Sequence, residues 1–258
     1  MTITKSYKSH HFAANKICDI PVYLGAIPLY NGHNYYMWDA RENYWSGHEW
    51  DASDAWQPTK NTVGNDDYPK SKEADGARWY NDVEGPLEAS VNPLFKQLPN
   101  ANELAWYVLK GDCYWDNSSL WKAFDKVHSG GIWLKKLSVI AEENGKKPAE
   151  LKQNDPNGKN LLTFSNPQSY KFPPKFGKPS DSEIGKYFFL PAMGHYTQGD
   201  TYHFGFGGSY WSSTADPSYN RGAYCLNFFY GAVELYYEPR TRGCIAQPFE
   251  SPSPIVLF

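Results

Sequence analysis

Between Ala223 and Tyr237 the chain carries a stretch whose folding is nearly dictated by two residues, Tyr230-Gly231. Glycine in the second of two central positions suits the tight two-residue turns that join antiparallel strands. A turn closed there sets Phe228 against Val233, Leu226 against Leu235 and Tyr224 against Tyr237. The alternate positions pair Phe229 with Ala232, Asn227 with Glu234 and Cys225 with Tyr236. Side chains alternate across a sheet, so the first set makes a uniformly apolar face. The second set is mixed: thiol, amide, carboxylate, methyl and two aromatic rings. A buried face must avoid unpaired polar groups, so the mixed face is expected to be the exposed one. Phe229 and Tyr236 on an exposed face suggest a contact surface. An ordinary amphipathic edge hairpin is the alternative reading of the same pattern.

The rest of the chain reads as an irregular, loop-rich fold. Aromatic residues make up 17% of it, and 21 glycines and 19 prolines are spread along its length. Large flat side chains supply much buried area each, so such a fold can still hold a core. The formal net charge is −3 and no basic run stands out, which argues against nucleic-acid binding. No apolar run reaches the length of a membrane span. The first twenty residues, with His10, His11 and Asn15, lack the apolar centre of a secretory signal. The expectation is therefore synthesis in the cytoplasm, or a chain whose leader has been removed, with action in a virion or at a cell surface. Cys18, Cys113, Cys225 and Cys244 show no zinc-type spacing. Unpaired thiols are expected, and a Cys225–Cys244 bridge stays open if their strands are neighbours.

Two regions follow from texture. Residues 1–90 form an irregular aromatic-rich segment expected to pack on a main domain at 91–258. Trp38, Trp45, Trp50 and Trp56 in it read as core. Leu98 to Gly111 is a helix, with Asn100 and Glu103 spaced as a capping box. Leu120, Trp121, Phe124 and Val127 predict a second helix over Ser118 to Val127, stopped by Gly130-Gly131. Leu134 to Asn144 is the third, and 152–182 an exposed connection. Tyr187 to Pro191 is a short buried strand, and Gly205 to Gly208 a glycine-rich bend leading into another strand.

Leu190-Pro191-Ala192 and Gly208-Ser209-Tyr210-Trp211-Ser212-Ser213-Thr214 carry a resemblance, as do Ala223-Tyr224, Leu226, Phe228, Gly231, Val233 and Arg240 to Gly243. Together they resemble a bacterial and phage family with the C-type lectin fold. That family includes the Fibrobacter-type paralogous repeats and the variable proteins of diversity-generating retroelements. The resemblance covers 185–249 and extends through Leu98 to Glu103 to about residue 92; Ala246-Gln247 departs from the family's Val-Arg pair. It implies an α+β, C-type-lectin-like fold, loop-rich, with short antiparallel strands and two or three helices. It implies a binding protein and not an enzyme, working without a cofactor or a metal. The implied site is Tyr210, Cys225, Asn227, Phe229, Tyr230, Ala232, Glu234, Tyr236, Tyr237, Arg240 and Arg242. The implied partner is a cell-surface protein or glycan, met by a phage or prophage receptor-binding protein or a bacterial adhesin. In diversified members, error-prone copying turns Asn codons into many others. Cys225, Asn227, Phe229, Tyr230, Ala232, Tyr236, Tyr237, Thr241, Arg242 and Cys244 are reachable that way, whereas Glu234 and Glu238 are not.

Other readings compete. A structural or assembly subunit would bury the mixed face in an oligomer. The formylglycine-generating enzymes share the fold and use paired cysteines, for which Cys225 and Cys244 are the candidates. Their Arg-Gly-Gly-Ser-Trp segment is only echoed by Phe206-Gly207-Gly208-Ser209-Tyr210. Glu238-Pro239-Arg240 echoes a calcium-lectin loop, but Arg240 sets a cation where a carbonyl ligand belongs. Trp115-Asp116-Asn117 reads as the cap of the second helix. His195 and His203, near Asp200, read as hydrogen-bonded structure.

Overall fold

A computed structural model of the chain describes residues 27–57, 64–76, 78, 88–89, 91–164, 170–250 and 255–256. Cys18 and the first twenty residues, from which the absence of a secretory signal is read, lie outside the described residues. Strands β1 (Ile27–Pro28) and β2 (Tyr35–Tyr36) precede helix α1 (Ala101–Lys110). Then come strands β3 (Tyr114–Ala123) and β4 (Lys126–Lys135), helices α2 (Leu137–Glu143) and α3 (Pro148–Leu151), and the two-residue strands β5 (Lys171–Phe172) and β6 (Lys175–Phe176). The last third is nearly all strand: β7 (Tyr187–Pro191), β8 (Met193–Thr197), β9 (Asp200–Phe204), β10 (Gly207–Ala215), β11 (Gly222–Phe229), β12 (Ala232–Pro239), β13 (Cys244–Ile245) and β14 (Ile255–Val256). The protein is thus α+β, with three α-helices among the described residues.

The larger sheet has the order β2-β13-β10-β11-β12-β5, with β8 and β9 joined through β10. A second sheet runs β6-β3-β4-β7, and β1 pairs with β14. β11 and β12 meet in the register that the Tyr230-Gly231 turn sets, from Phe229↔Ala232 back to Tyr224↔Tyr237. Neither turn residue has positive φ, so the glycine's conformational freedom is not what closes this hairpin. Leu226, Phe228, Val233 and Leu235 are buried, in one core with Leu104, Ala105 and Val108 of α1. That burial fixes the register, because a one-residue slip would turn all four to the opposite face.

The helix expected at Ser118 to Val127 is instead the end of β3, a turn and the start of β4. Its apolar residues fit either period. Trp121 and Ala123 on β3, and Ile132 and Leu134 on β4, point inward two apart. The turn itself is Phe124-Asp125, at φ 52° and 54°. A left-handed backbone costs a non-glycine residue about 1–2 kcal/mol. Gly130-Gly131, expected to stop a helix, lie inside β4. A Cβ on Gly131 would meet the Leu190 carbonyl oxygen at 2.4 Å, so β7 could not approach. Asp116 caps no helix either. It sits at a bulge of β3, where its carboxylate accepts the Ser118 amide and hydroxyl at 2.8 and 2.6 Å and Trp133 Nε1–H at 3.1 Å. Burial pushes this carboxyl up, but those bonds and the Ser119 hydroxyl hold it below the usual range.

Helix α1 begins as its sequence predicts. Asn100 Oδ1 accepts the Glu103 amide at 3.0 Å, and Glu103 Oε2 accepts the Asn100 amide at 2.9 Å. Asn100 Nδ2 also donates to the Lys152 carbonyl at 3.0 Å, tying the helix start to α3. Asn100→Ala should therefore destabilise the protein by about 1–2 kcal/mol. Urea unfolding would show a lower midpoint with an unchanged slope; an unmoved midpoint would mean the cap is dispensable.

Candidate functional site

The second face of the large sheet is assembled by register. Ser209 of β10 lies opposite Asn227 of β11, Asn227 opposite Glu234 of β12, and Glu234 opposite Lys171 of β5. On the other side of β10, His195 of β8 reaches Ser209, with Nδ1 and Oγ 3.1 Å apart. One polar row, His195–Ser209–Asn227–Glu234–Lys171, thus crosses five strands. His195 and Ser209 are buried, Asn227 and Glu234 partly so, and Lys171 is open. Exposure rises along the row towards the β5 edge.

Aromatic rings stand around this row. Tyr202, 46% exposed, stacks on His195 at 5.6 Å. Phe229 and Tyr230 meet edge to face at 5.9 Å, and Lys171 Nζ lies 5.7 Å from the Phe229 ring centre while pairing with Glu234 at 3.2 Å. Tyr236, 40% exposed, stacks on Tyr237 at 5.1 Å. Phe206 and Tyr230 are 54% and 61% exposed at the turn end of the strands. Such a rim offers wide contact area, and Tyr adds a polar tip.

The face expected to be wholly exposed is closed at its other end. There Trp38, Phe95 and Leu98 pack with Trp211, Cys225, Cys244 and Ala246. Cys225 is buried for that reason, and Ala232 is buried as well. Tyr210 is no site residue. Its register with Leu226 puts it on the apolar face, where it stacks on Phe228 and its hydroxyl donates to the Pro191 carbonyl at 2.6 Å. Arg240 is buried too: its guanidinium lies 4.9 Å from the Trp38 ring centre and Nε donates to the Gly222 carbonyl at 3.2 Å. Tyr237 belongs to the apolar set and is only partly covered. The structure brings together Asn227, Phe229, Tyr230, Glu234, Tyr236 and Arg242 as the open part of the predicted site. It adds His195, Ser209, Tyr202 and Lys171, from strands whose pairing the hairpin pattern does not reveal, and Phe206 from the turn between β9 and β10.

Beneath the open part lies a hydrogen-bonded polar cluster. Glu238 is buried, pairs with Arg242 and accepts Asn227 Nδ2–H at 3.2 Å. Burial raises its carboxyl above the usual range, against the opposing pull of Arg242. The thiol of Cys225 lies 3.6 Å from both Asn227 Oδ1 and the Tyr236 carbonyl. Burial raises the Cys225 and Cys244 thiols well above their ordinary value, and that of Cys113 to about 12. Cys113, Cys225 and Cys244 are all unbridged. Among the described residues no three His, Cys, Asp or Glu side chains gather where they could hold a metal ion. Nor is any described helix long and apolar enough to cross a membrane. Set against protein-family models, curated proteins and solved structures, the chain matches none.

His195 is held neutral. Loss of water, then Arg242 and His203, pull its pKa down to about 3. In the unfolded chain an imidazole titrates near 6.5, so the stability it confers is full above about pH 6.5 and is lost as pH falls towards 3. Between pH 7 and 4.5 that loss should be on the order of 2 kcal/mol. His195→Gln, which cannot titrate, should remove it, so the mutant's urea midpoint should fall less than that of the natural chain over the same interval. Parallel falls would place the acid sensitivity elsewhere.

Proposed function

We propose that the protein is a ligand-recognition module that grips a cell-surface protein or glycan with the open half of this sheet face. The finer fold proposed is C-type-lectin-like, resting on the motif resemblance over 185–249. The observation that carries the reading is the graded polar row. Its inner end is fixed by packing, its outer end is solvated, and aromatic rings flank it, while Leu226, Phe228, Val233 and Leu235 commit the opposite face to the core. Exposed aromatic side chains beside positioned hydrogen-bonding groups are the combination that most often supplies binding energy. The proposed contact residues are Asn227, Phe229, Tyr230, Glu234, Tyr236 and Arg242, with Tyr202, Phe206 and Lys171 beside them. An enzymatic role through Cys225 and Cys244 is disfavoured, since buried protonated thiols are poor nucleophiles. Phage or prophage receptor binding and bacterial surface adhesion are the settings proposed.

Retroelement diversification, if it operates, would act on the open positions. Sequencing the 3′ end of the gene across its source population should show substitutions gathered at Asn227, Phe229, Tyr230 and Tyr236, with Leu226, Phe228, Val233 and Leu235 fixed. One invariant sequence would leave a module of fixed specificity. Binding itself is tested by adhesion to intact cells and to a surface-glycan array. Tyr230→Ala and Tyr236→Ala should each weaken capture about tenfold or more with the melting temperature nearly unmoved. A large drop in melting temperature would show that the rings serve packing, and the site assignment would fall.

A further inference from the structure

The N-terminal stretch and the tip of the β3–β4 hairpin enclose a cleft of about 640 Å³ that shares no residue with the sheet face. A second hollow of about 390 Å³ adjoins it, and Trp50 and Phe124 line both. Both volumes lie in the range of small-ligand sites. The shared wall is held at a cost. Phe124 and Asp125 occupy the two positions of a turn whose positive φ values, 52° and 54°, suit Asn and Gly. The strained ring is closely seated. Trp50 stands edge-on to it at 6.2 Å, and a Cβ on Gly32 would come within 2.4 Å of its Cε1. Backbone strain held in place by such packing is characteristic of functional sites.

The polar lining decides the class of ligand. The side-chain amides of Asn34 and Gln247 hydrogen-bond to nothing among the described residues. Asn31 Oδ1 takes the His33 amide at 2.9 Å, which leaves its Nδ2 for a ligand. Asp51 meets the His33 ring nitrogen at 2.9 Å and Lys122 meets Asp125 at 3.2 Å, so each charged group along the cleft already has a protein partner. Amides both donate and accept, which matches hydroxyl groups that do the same. Partly exposed rings match the C–H faces of sugar rings. We propose that this cleft binds a neutral oligosaccharide, with Trp50 and Phe124 against the sugar faces and Asn31, Asn34 and Gln247 on its hydroxyls. This site stands whether or not the sheet face is a recognition surface.

Calorimetric titration with maltohexaose, cellohexaose, laminarihexaose, mannohexaose and xylohexaose tests it, with polygalacturonate and chitosan oligomers as charged counterparts. At least one neutral sugar should bind. Phe124→Asn removes the ring yet fits the left-handed turn, which offsets part of the lost packing, so it should weaken binding about tenfold or more with the fold retained by circular dichroism. Gln247→Ala, at a partly exposed position, should also weaken binding, and Tyr236→Ala on the sheet face should not. Should Phe124→Asn fail to fold, Gln247→Ala carries the test. No binding to any neutral sugar at millimolar concentration, binding of charged oligomers alone, full affinity in Phe124→Asn or Gln247→Ala, or loss in Tyr236→Ala alone would each overturn the assignment.

Discussion

Pairing of β11 with β12 in one register is the constraint on which the rest of the large sheet depends. With Phe229 opposite Ala232, Leu226, Phe228, Val233 and Leu235 all enter the core beneath α1. Each buried side chain of that size contributes roughly 1.5–3 kcal/mol, so a slipped register would lose several such terms at once. The register then propagates outward. β10 pairs Tyr210 with Leu226, which sends Trp211 and Ser209 to the opposite face beside Cys225 and Asn227. β8 and β5 extend the row of Ser209 and Asn227 to His195 and Lys171. The polar row is therefore a consequence of how the apolar face is buried.

The same dependence explains how much of the site was legible. Hairpin residues, their partners and the apolar face follow from alternation and a turn position alone. What alternation cannot reveal is that a chemically mixed face can be buried once its polar groups find hydrogen-bond, ion-pair and ring partners. Arg240 gives Nε–H to the Gly222 carbonyl and lies over Trp38, and Glu238 takes Asn227 and Arg242. Apart from Arg242, four residues from Glu238, these partners lie on the other hairpin strand or, like Trp38, in a segment remote in sequence. Buried polar groups are tolerated when satisfied, and that satisfaction is a tertiary property. Trp38 and Phe95, which close the Cys225 end, lie in an irregular stretch whose lack of period conceals where it packs.

Secondary structure divides on similar lines. Helix α1 was legible because Asn100 and Glu103 signal its start locally, and local hydrogen bonds carry that signal. The segment from Ser118 to Val127 misleads because Leu120, Trp121, Phe124 and Val127 satisfy a helical spacing while Trp121 and Ala123 also satisfy a strand's. The decision lies with β7, which pairs with β4 from Lys135 to Gly131 and needs Gly131 bare. A helix there would leave those strand edges without partners, and unpaired backbone groups inside a protein are costly.

The two hairpin turns then make an instructive contrast. Tyr230-Gly231 holds the residue best suited to a left-handed backbone and does not use it; Phe124-Asp125 uses that backbone without the residue. Energetic economy would put the glycine at the second turn. At the first, the burial of four apolar side chains sets the register whatever the turn adopts. At the second stands a phenylalanine whose ring is only partly buried and lies against Trp50 and Phe204 around two hollows. A substitution that would relax the backbone would also empty that wall. Local strain and local surface are thus bound to one side chain, which is the condition under which a chain retains a residue that its backbone disfavours.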